Sequence, residues 1–387
     1  MPITRDLFLE MLTAAYMQRW NDKLRPVELL ELDKQAHKMI LAFFLGSFHA
    51  GEPGFSWPAV IEGGWFEFLQ RIVVTDLKPQ IFDQIKQDRE KYAALNAWVG
   101  EKLRPLLDPL GGGFTDRFLD YFQRPESVPD INRRILGAAH VQATQWEFDL
   151  LRGDNTRDYE LDAIRLNLEE KRNRYADLRS VQQLEENVRY QGFTHLCGQL
   201  RFQIRWSRIH RVPRTSVLGH LLFVAILAYL LSREAGLDDT RCVNNYFTGL
   251  FHDLPEALTR DIISPVKRSV AGLESLIKDY EQREMRRVYR LLPEAGSWRG
   301  AIRTFTEHEF EDIRLAGAVV RDGKLVEAAD KFAAYVEAYE AIRNGSPSLE
   351  LREAMTAIAE RWSRERICGL PLAPLFASFE ECSAPCD

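Results

Sequence analysis

The stretch Leu250–Asp261, LFHDLPEALTRD, places an adjacent pair, His252 and Asp253, ahead of two further acids, Glu256 and Asp261. On a helix of about 3.6 residues per turn, adjacent side chains diverge by roughly 100°, so this pair can share an ion only off the end or edge of the helix. Glu256, one turn later, projects to the same side. A metal with a carboxylate beside it is what a hydrolase needs to make a hydroxide nucleophile. A solvated helix end is the competing interpretation.

Length and composition describe a soluble globular protein with two domains. At 387 residues the chain exceeds the size of a typical single core, and we predict domains at 1–185 and 186–387. The net charge of −6 argues against bulk nucleic-acid binding but leaves room for a local basic pocket. The longest apolar run, Leu221–Leu231, is too short to span a membrane. Five scattered cysteines and an acidic N-terminus without a signal peptide predict the cytoplasm.

The periodicity of apolar residues predicts an all-α protein. Apolar residues recur at spacings of three and four, as in the series that begins at Leu103 and at Ala328, and alternating strand-like runs are few. The highly charged segment from about Arg152 to Tyr190 predicts an exposed helix that links the two domains. We expect a last helix over Arg352–Arg366.

The two halves share four features in the same order, which predicts an internal duplication. The matched features are Arg19-Trp20 with Arg205-Trp206, the apolar helices that begin near His37 and His220, the stretches that end at Asp76 and Asp261, and the helices around His140 and Asp330. Chance likeness of amphipathic helices explains any one pair, but not four pairs at similar spacing. We therefore predict tandem helical bundles.

The first copy differs from the second where the chemistry is expected. Opposite His252-Asp253 and Glu256 it carries Glu67-Phe68 and Arg71. An apolar ring and a cationic side chain cannot bind a divalent ion, so the N-terminal copy is predicted to be degenerate. His37 and His140 are then packing or hydrogen-bonding residues.

His220, His252-Asp253 and Asp330 form the pattern H…HD…D, which resembles the HD-domain metal-dependent phosphohydrolases. The likeness is greatest to the bacterial HD-domain 5′-deoxynucleotidases and covers roughly 202–344. It rests further on Arg205-Trp206 ahead of His220, Ser216-Val217 just before that histidine, the HDxxE…D spacing, and Pro265-Val266-Lys267. The chain departs from the family at Gly219, where a glutamate is usual, and at Pro213-Arg214-Thr215.

The resemblance implies that His220, His252, Asp253 and Asp330 bind one divalent ion. Two imidazoles and two carboxylates leave coordination positions open, as a hydrolytic site needs, and they do not choose among Mn, Co, Fe, Ni, Zn and Mg. Glu256 would then be the acid or base. By resemblance, Asp261 helps to place the sugar or the attacking water.

Arg205 is the predicted phosphate clamp, because a guanidinium can hold two oxygens at once. It belongs to an arginine-rich run, RFQIRWSRIHRVPR, which could instead be a surface patch for an acidic partner or nucleic acid. Trp206 would wall the sugar pocket and, by resemblance, disfavour a ribose 2′-hydroxyl. Lys267 is a second phosphate candidate, with a solvated lysine as the equal alternative.

The predicted function is a metal-dependent phosphomonoesterase that releases phosphate from (deoxy)nucleoside 5′-monophosphates or similar small phosphates. A phosphodiesterase or nucleoside-triphosphate hydrolase on the same metal stays open, as does a homodimer. Ala257 stands where guanosine tetraphosphate hydrolases have a second acid, which argues against that reaction. The alternative from another class is a nucleotide-sensing or regulatory protein with little turnover.

Overall fold

The computed structural model describes residues 3–75, 77–124, 129–260, 270, 272–293 and 298–380. Two of the predicted site residues, Asp261 and Lys267, lie outside the described residues, as does Asp76. Within them, helices dominate, and the strands form two short antiparallel ribbons. The all-α prediction is confirmed.

The described part of the first 200 residues contains ten α-helices. They are α1 Arg5–Leu12, α2 Glu31–Ser47, α3 Trp57–Val74, α4 Pro79–Gln87, α5 Arg89–Leu107, α6 Phe114–Gln123, α7 Ile131–Leu151, α8 Leu161–Asn173, α9 Arg179–Glu186 and α10 Val188–Gln199. The expectation of one exposed linker helix over 152–190 is wrong, because this segment folds into α8, α9 and the start of α10. Helix α9 packs against the protein because the apolar side chains of Leu178, Val181 and Leu184 are buried in the main core.

The remaining described chain adds eight helices and the two ribbons. They are α11 Val217–Glu234, α12 Asp239–Phe251, α13 Glu256–Thr259, α14 Leu273–Tyr289, α15 Trp298–Thr306, β1 Ile313–Leu315, β2 Ala318–Arg321, α16 Gly323–Arg343, α17 Leu349–Trp362, β3 Arg366–Ile367, β4 Leu370–Pro371 and α18 Ala373–Glu380. The predicted last helix over Arg352–Arg366 corresponds to α17, and α18 follows it.

Helix α11 is the centre of the core. By length and composition it could cross a membrane, but 89% of it is buried inside the protein, where it packs against α2, α12 and α16. At its crossing with α12, a side chain on Gly249 would lie 2.9 Å from the Ala225 backbone. Glycine therefore permits the close approach that brings the end of α12 towards the start of α11.

The first turn of α11 is fixed by a residue from the other half of the chain. Ser216 accepts a hydrogen bond from the Gly219 backbone N–H (2.9 Å) and donates one to Asp33 of α2 (2.6 Å). A side chain at Gly219 would begin 2.9 Å from that carboxylate. The departure from the family's glutamate thus has a packing cause.

Replacing Asp33 with asparagine should stabilise the protein above pH 6. Burial raises the pKa of Asp33 from 3.8 to about 6, so the folded state loses stability as pH rises through that window. Asparagine cannot ionise and can still accept from Ser216. At about 1.4 kcal/mol per pKa unit, we expect a gain of up to about 3 kcal/mol at pH 8 and little at pH 4. Denaturant titrations at both pH values check this.

The matched control is Asp162→Asn, since that carboxylate is 91% exposed. Its free energy of unfolding should change by less than about 0.5 kcal/mol at either pH. An Asp33→Asn protein that is equally or less stable at pH 8 would show that the Asp33 carboxylate is favourable when ionised.

Candidate metal centre

The His252-Asp253 pair lies at the end of α12. The last helical residue is Phe251, and the His252 backbone N–H still donates to Thr248 (2.9 Å). A tight turn follows, with the Glu256 N–H bonded to the Asp253 carbonyl (3.0 Å). Both side chains can therefore turn towards one point beyond the helix end.

Three predicted ligands converge at this point. Side-chain ligand atoms of His220, His252 and Asp330 lie within 4.8 Å of one another, and all three residues are buried. His220 Nε2 is 3.0 Å from Asp330 Oδ1, and His252 Nε2 is 3.9 Å from the same oxygen. Helices α11, α12 and α16 each contribute one member of this trio.

Hydrogen bonds orient both imidazoles. His252 Nδ1 lies 2.9 Å from the Gly249 carbonyl, which can only accept, so Nδ1 carries the proton. His220 Nδ1 faces the Glu337 carboxylate at 3.3 Å. The opposite nitrogen, His252 Nε2, is buried and faces Asp253 Oδ2 at 3.2 Å and Asp330 Oδ1 at 3.9 Å. A buried ring nitrogen that faces two carboxylates, on a ring oriented through its other nitrogen, fits a metal ligand.

Asp253 lies beside the trio but outside it. Its Oδ2 is 3.2 Å from His252 Nε2 and 3.7 Å from Arg205 Nη1. Burial lowers the pKa of His252, but the carboxylates of Asp253 and Asp330 outweigh it and raise the pKa to about 9. Burial raises the pKa of Asp253, but His252 overcomes this and lowers it to about 2. The site thus favours positive charge, and its donors fit a divalent ion.

Glu337 connects the trio to the predicted phosphate clamp, a role that sequence reasoning missed. Its buried carboxylate accepts from Arg205 Nε (3.3 Å), Trp206 Nε1 (3.0 Å) and Thr215 Oγ1 (2.9 Å), and also faces His220. Glu337 lies seven residues after Asp330 on α16, so two helical turns place both on one face. That spacing was the available signal.

The arginine-rich run is not a surface patch as a whole. Arg201 and Arg211 are buried and hydrogen-bonded internally, and the Arg205 side chain is only 13% exposed. Arg208 and Arg214 are exposed. The prediction that Arg205 belongs to a pocket fits these positions, and the alternative of a patch for an acidic partner does not.

Trp206 is held by its indole and its backbone. It adopts a left-handed φ of 55°, uncommon for a bulky residue, and packs against the cluster of Ala338, Ala341 and Leu351. Its N–H bonds to Glu337 (3.0 Å), so it helps to orient the carboxylate that holds Arg205. Its predicted contact with a sugar stays a prediction.

Two further residues lie close to the predicted ligands in the chain. Glu256 begins α13 and is half-buried, and its backbone carbonyl accepts from Gln203 (2.8 Å). Lys331, which sequence reasoning missed, donates to Asp330 Oδ2 (2.7 Å) and lies over the Phe310 ring. Lys331 thus bonds the oxygen of Asp330 opposite the one near the histidines.

Part of the chain is similar to known proteins. Residues 197–365 match the family model described as HD domain. A 5′-deoxynucleotidase from Erwinia tasmaniensis is 28% identical over 182 residues, which cover 45% of this chain and 85% of that protein. One from Vibrio atlanticus is 25% identical and covers 41% and 78%. The solved structure of an HD-domain phosphohydrolase from Listeria innocua is 18% identical, with a TM-score of 0.40 over 49% of this chain and 92% of that one.

Proposed function

We propose that the protein is a metal-dependent phosphomonoesterase, because residues 197–365 match the HD-domain family model and curated proteins named 5′-deoxynucleotidase are similar to this chain. Its proposed substrates are (deoxy)nucleoside 5′-monophosphates or similar small phosphates, in the cytoplasm. The observation that carries the proposal is the buried trio of His220, His252 and Asp330 beside an arginine whose Nη1 lies 3.7 Å from Asp253. The 5′-deoxynucleotidase names of three relatives support the substrate class.

The metal ligands in this proposal are His220, His252, Asp253 and Asp330. A divalent ion held there would supply a Lewis acid for the phosphoryl oxygens and lower the pKa of a water. The residues that orient these ligands, Glu337 and the Gly249 carbonyl, keep each Nε2 lone pair directed inward.

Arg205 binds the substrate phosphate in this proposal. Its Nε is tied to Glu337, so the guanidinium is fixed and its Nη edge, beside Asp253, can receive two phosphoryl oxygens. Glu256 moves the proton, either from the attacking water or to the leaving ester oxygen. Burial of the trio excludes bulk water, which strengthens each charge interaction.

The decisive experiment is a phosphatase panel on protein loaded in turn with Mn²⁺, Co²⁺, Zn²⁺ and Mg²⁺. Phosphate release from deoxynucleoside 5′-monophosphates, with no release from a phosphodiester, is the expected result. No release from any phosphomonoester, together with a nucleotide-dependent rise in melting temperature, would contradict catalysis and favour a sensor.

Arg205→Lys should raise KM for a nucleoside 5′-monophosphate by about 10- to 100-fold. Lysine keeps the charge but loses the planar fork that binds two oxygens, a loss worth about 1.4–3 kcal/mol. The measurement is the KM and kcat of metal-loaded protein. Arg208→Lys, an exposed neighbour in the same run, is the control and should change neither. An unchanged KM in Arg205→Lys would remove Arg205 from the phosphate site.

A further inference from the structure

The two halves share a backbone arrangement in front of their core helices. In the first half, Arg19 N–H donates to Leu29 (2.7 Å) and Glu31 N–H to Met17 (2.9 Å). In the second half, the bonds are Arg205 to Thr215 (3.0 Å) and Val217 to Gln203 (2.8 Å). Each residue has its counterpart 186 positions later.

The tryptophans of the two halves are equivalent in detail. Trp20 and Trp206 both have φ 55°, and each donates its indole N–H over 3.0 Å to a buried glutamate. The acceptor is Glu147 in the first half, seven residues after His140, and Glu337 in the second, seven after Asp330. Each glutamate also accepts from the neighbouring arginine, Arg19 or Arg205.

The 186-residue offset between the two halves corrects the sequence-based pairing of His37 with His220. The offset of 186 pairs His220 with Lys34, so the pairing of His220 with His37 is three residues out of register. His37 bonds instead to the Thr194 carbonyl (3.1 Å) and packs against Trp146. Its role as a packing residue fits this position.

The contacts between the halves are reciprocal, as around a two-fold axis. Asp33 lies against Gly219, which is the equivalent residue of the second half, 186 positions later. Phe43 packs on Phe247, with ring centroids 4.7 Å apart. The equivalent pair, Tyr229 and Glu62, shares a hydrogen bond of 3.0 Å.

The helices that precede each core helix are exchanged between the halves. From α1, Phe8 contacts Phe223 and Phe332 of the second half. From α10, Phe193 contacts Phe44 of the first half. The chain therefore has the organisation of a helix-exchanged dimer within one polypeptide.

We propose that the first half is a second copy of the metal unit whose site is closed by the protein's own groups. The amino group of Lys34 stands at the position of a metal ligand, and the carboxylate of Glu31 covers the arginine edge that takes phosphate in the second half. The phosphate part of this inference rests on the proposed function. The backbone equivalence does not.

At the metal position, the first half has lysines. Lys34 Nζ lies 2.6 Å from His140 Nδ1. This contact corresponds to the one between His220 and Asp330 in the second half. Lys38 forms an ion pair with Glu67, the counterpart of His252, and Tyr121 donates to the same carboxylate (2.6 Å). Both lysines are fully buried, so N–H donors fill the volume in which the second half gathers nitrogen lone pairs.

At the phosphate position, the first half has an internal carboxylate. Glu31 Oε2 lies 2.6 Å from Arg19 Nη1 and 3.4 Å from Arg71 Nε, and the residue is buried. In the second half, Val217 occupies the equivalent place and offers no charge to Arg205. Glu31 thus binds Arg19 Nη1 directly at 2.6 Å, whereas the carboxylate beside Arg205 Nη1, that of Asp253, lies 3.7 Å away.

The metal content of the His252→Ala variant tests the first part. That change removes a ligand from the second half only, so we expect no bound Mn²⁺ or Zn²⁺ to remain after dialysis. Two ions per chain in the wild type and one in this variant would overturn the inference without touching the proposed function. An ion in the wild type that the variant loses supports both.

Inorganic phosphate tests the second part. We expect Glu31→Val, which installs the residue of the second half, to lower the melting temperature by several degrees. Phosphate should then raise it by about 3–5 °C more than in the wild type, because binding to the folded state stabilises it. Adding Arg19→Met should abolish this extra shift, while the second site is the same in all three proteins.

If Glu31→Val does not fold, Glu31→Gln serves instead, since it keeps the size and loses the charge. The same extra phosphate shift, dependent on Arg19, is expected. An equal phosphate shift in the wild type and in the Glu31 variant would overturn the inference, because the arginine edge would then be either open in both or closed in both.

Discussion

Asp253→Ala should abolish both the bound metal and the release of phosphate. The Asp253 carboxylate lies 3.2 Å from His252 Nε2 and 3.7 Å from Arg205 Nη1, so its loss removes a proposed metal ligand and the negative charge beside Arg205. We expect kcat/KM to fall by at least about 10³-fold, or about 4 kcal/mol of transition-state stabilisation. Elemental analysis and a phosphate-release assay on the same preparation measure the two effects.

The matched control is Asp239→Ala, in the first turn of the helix that carries His252. Its side chain is 67% exposed and paired only with Arg233 among the described residues. Metal content and turnover should stay at wild-type levels there. Wild-type turnover in Asp253→Ala would end the metal mechanism, whereas retained metal without turnover would restrict Asp253 to substrate binding.

Glu337→Gln should lower both stability and catalysis. The carboxylate is buried among Arg205, Trp206, Thr215 and His220, and the amide keeps its size but removes the charge that balances the half-buried arginine. Leaving a buried charge without its partner costs about 3–5 kcal/mol. We expect the free energy of unfolding to fall by an amount near the lower end of that range, and kcat/KM to fall about 100-fold. Denaturant titration measures the first effect, and steady-state kinetics measures the second.

The chain contains its own control for this variant. Glu147 holds Arg19, Trp20 and Arg201 in the first half as Glu337 holds its partners in the second. Glu147→Gln should cost comparable stability but leave kcat/KM of the folded protein close to wild type. Equal losses of activity in both variants would mean that Glu337 acts through stability alone and does not position the clamp.

The trio could be predicted from sequence because its members fit the pattern of a family that the chain resembles. His252 and Asp253 lie at a helix end that the chain itself specifies, and the spacing to His220 and Asp330 follows the H…HD…D pattern. Glu337 was missed because its partners Arg205 and Thr215 come from a loop more than 100 residues earlier, and only the fold brings them together.

Two errors have a common physical origin. Matching His37 to His220 relied on residue identity, whereas equivalence is set by backbone hydrogen bonds, which select Lys34. The linker was read as one exposed helix because its charges outnumber its apolar residues. Three buried side chains, Leu178, Val181 and Leu184, decide that α9 packs against the core. In both cases a few specific contacts decide the structure, and neither residue identity nor overall composition reveals them.

The exchange of α1 and α10 has a consequence for the order of synthesis. Phe8 is synthesised more than 200 residues before its partners Phe223 and Phe332. Helix α10, which completes the first half, also emerges after that half has been made. The first half can therefore finish its core only once α10 has emerged, and the nascent chain must keep α1 from other partners until α16 is released.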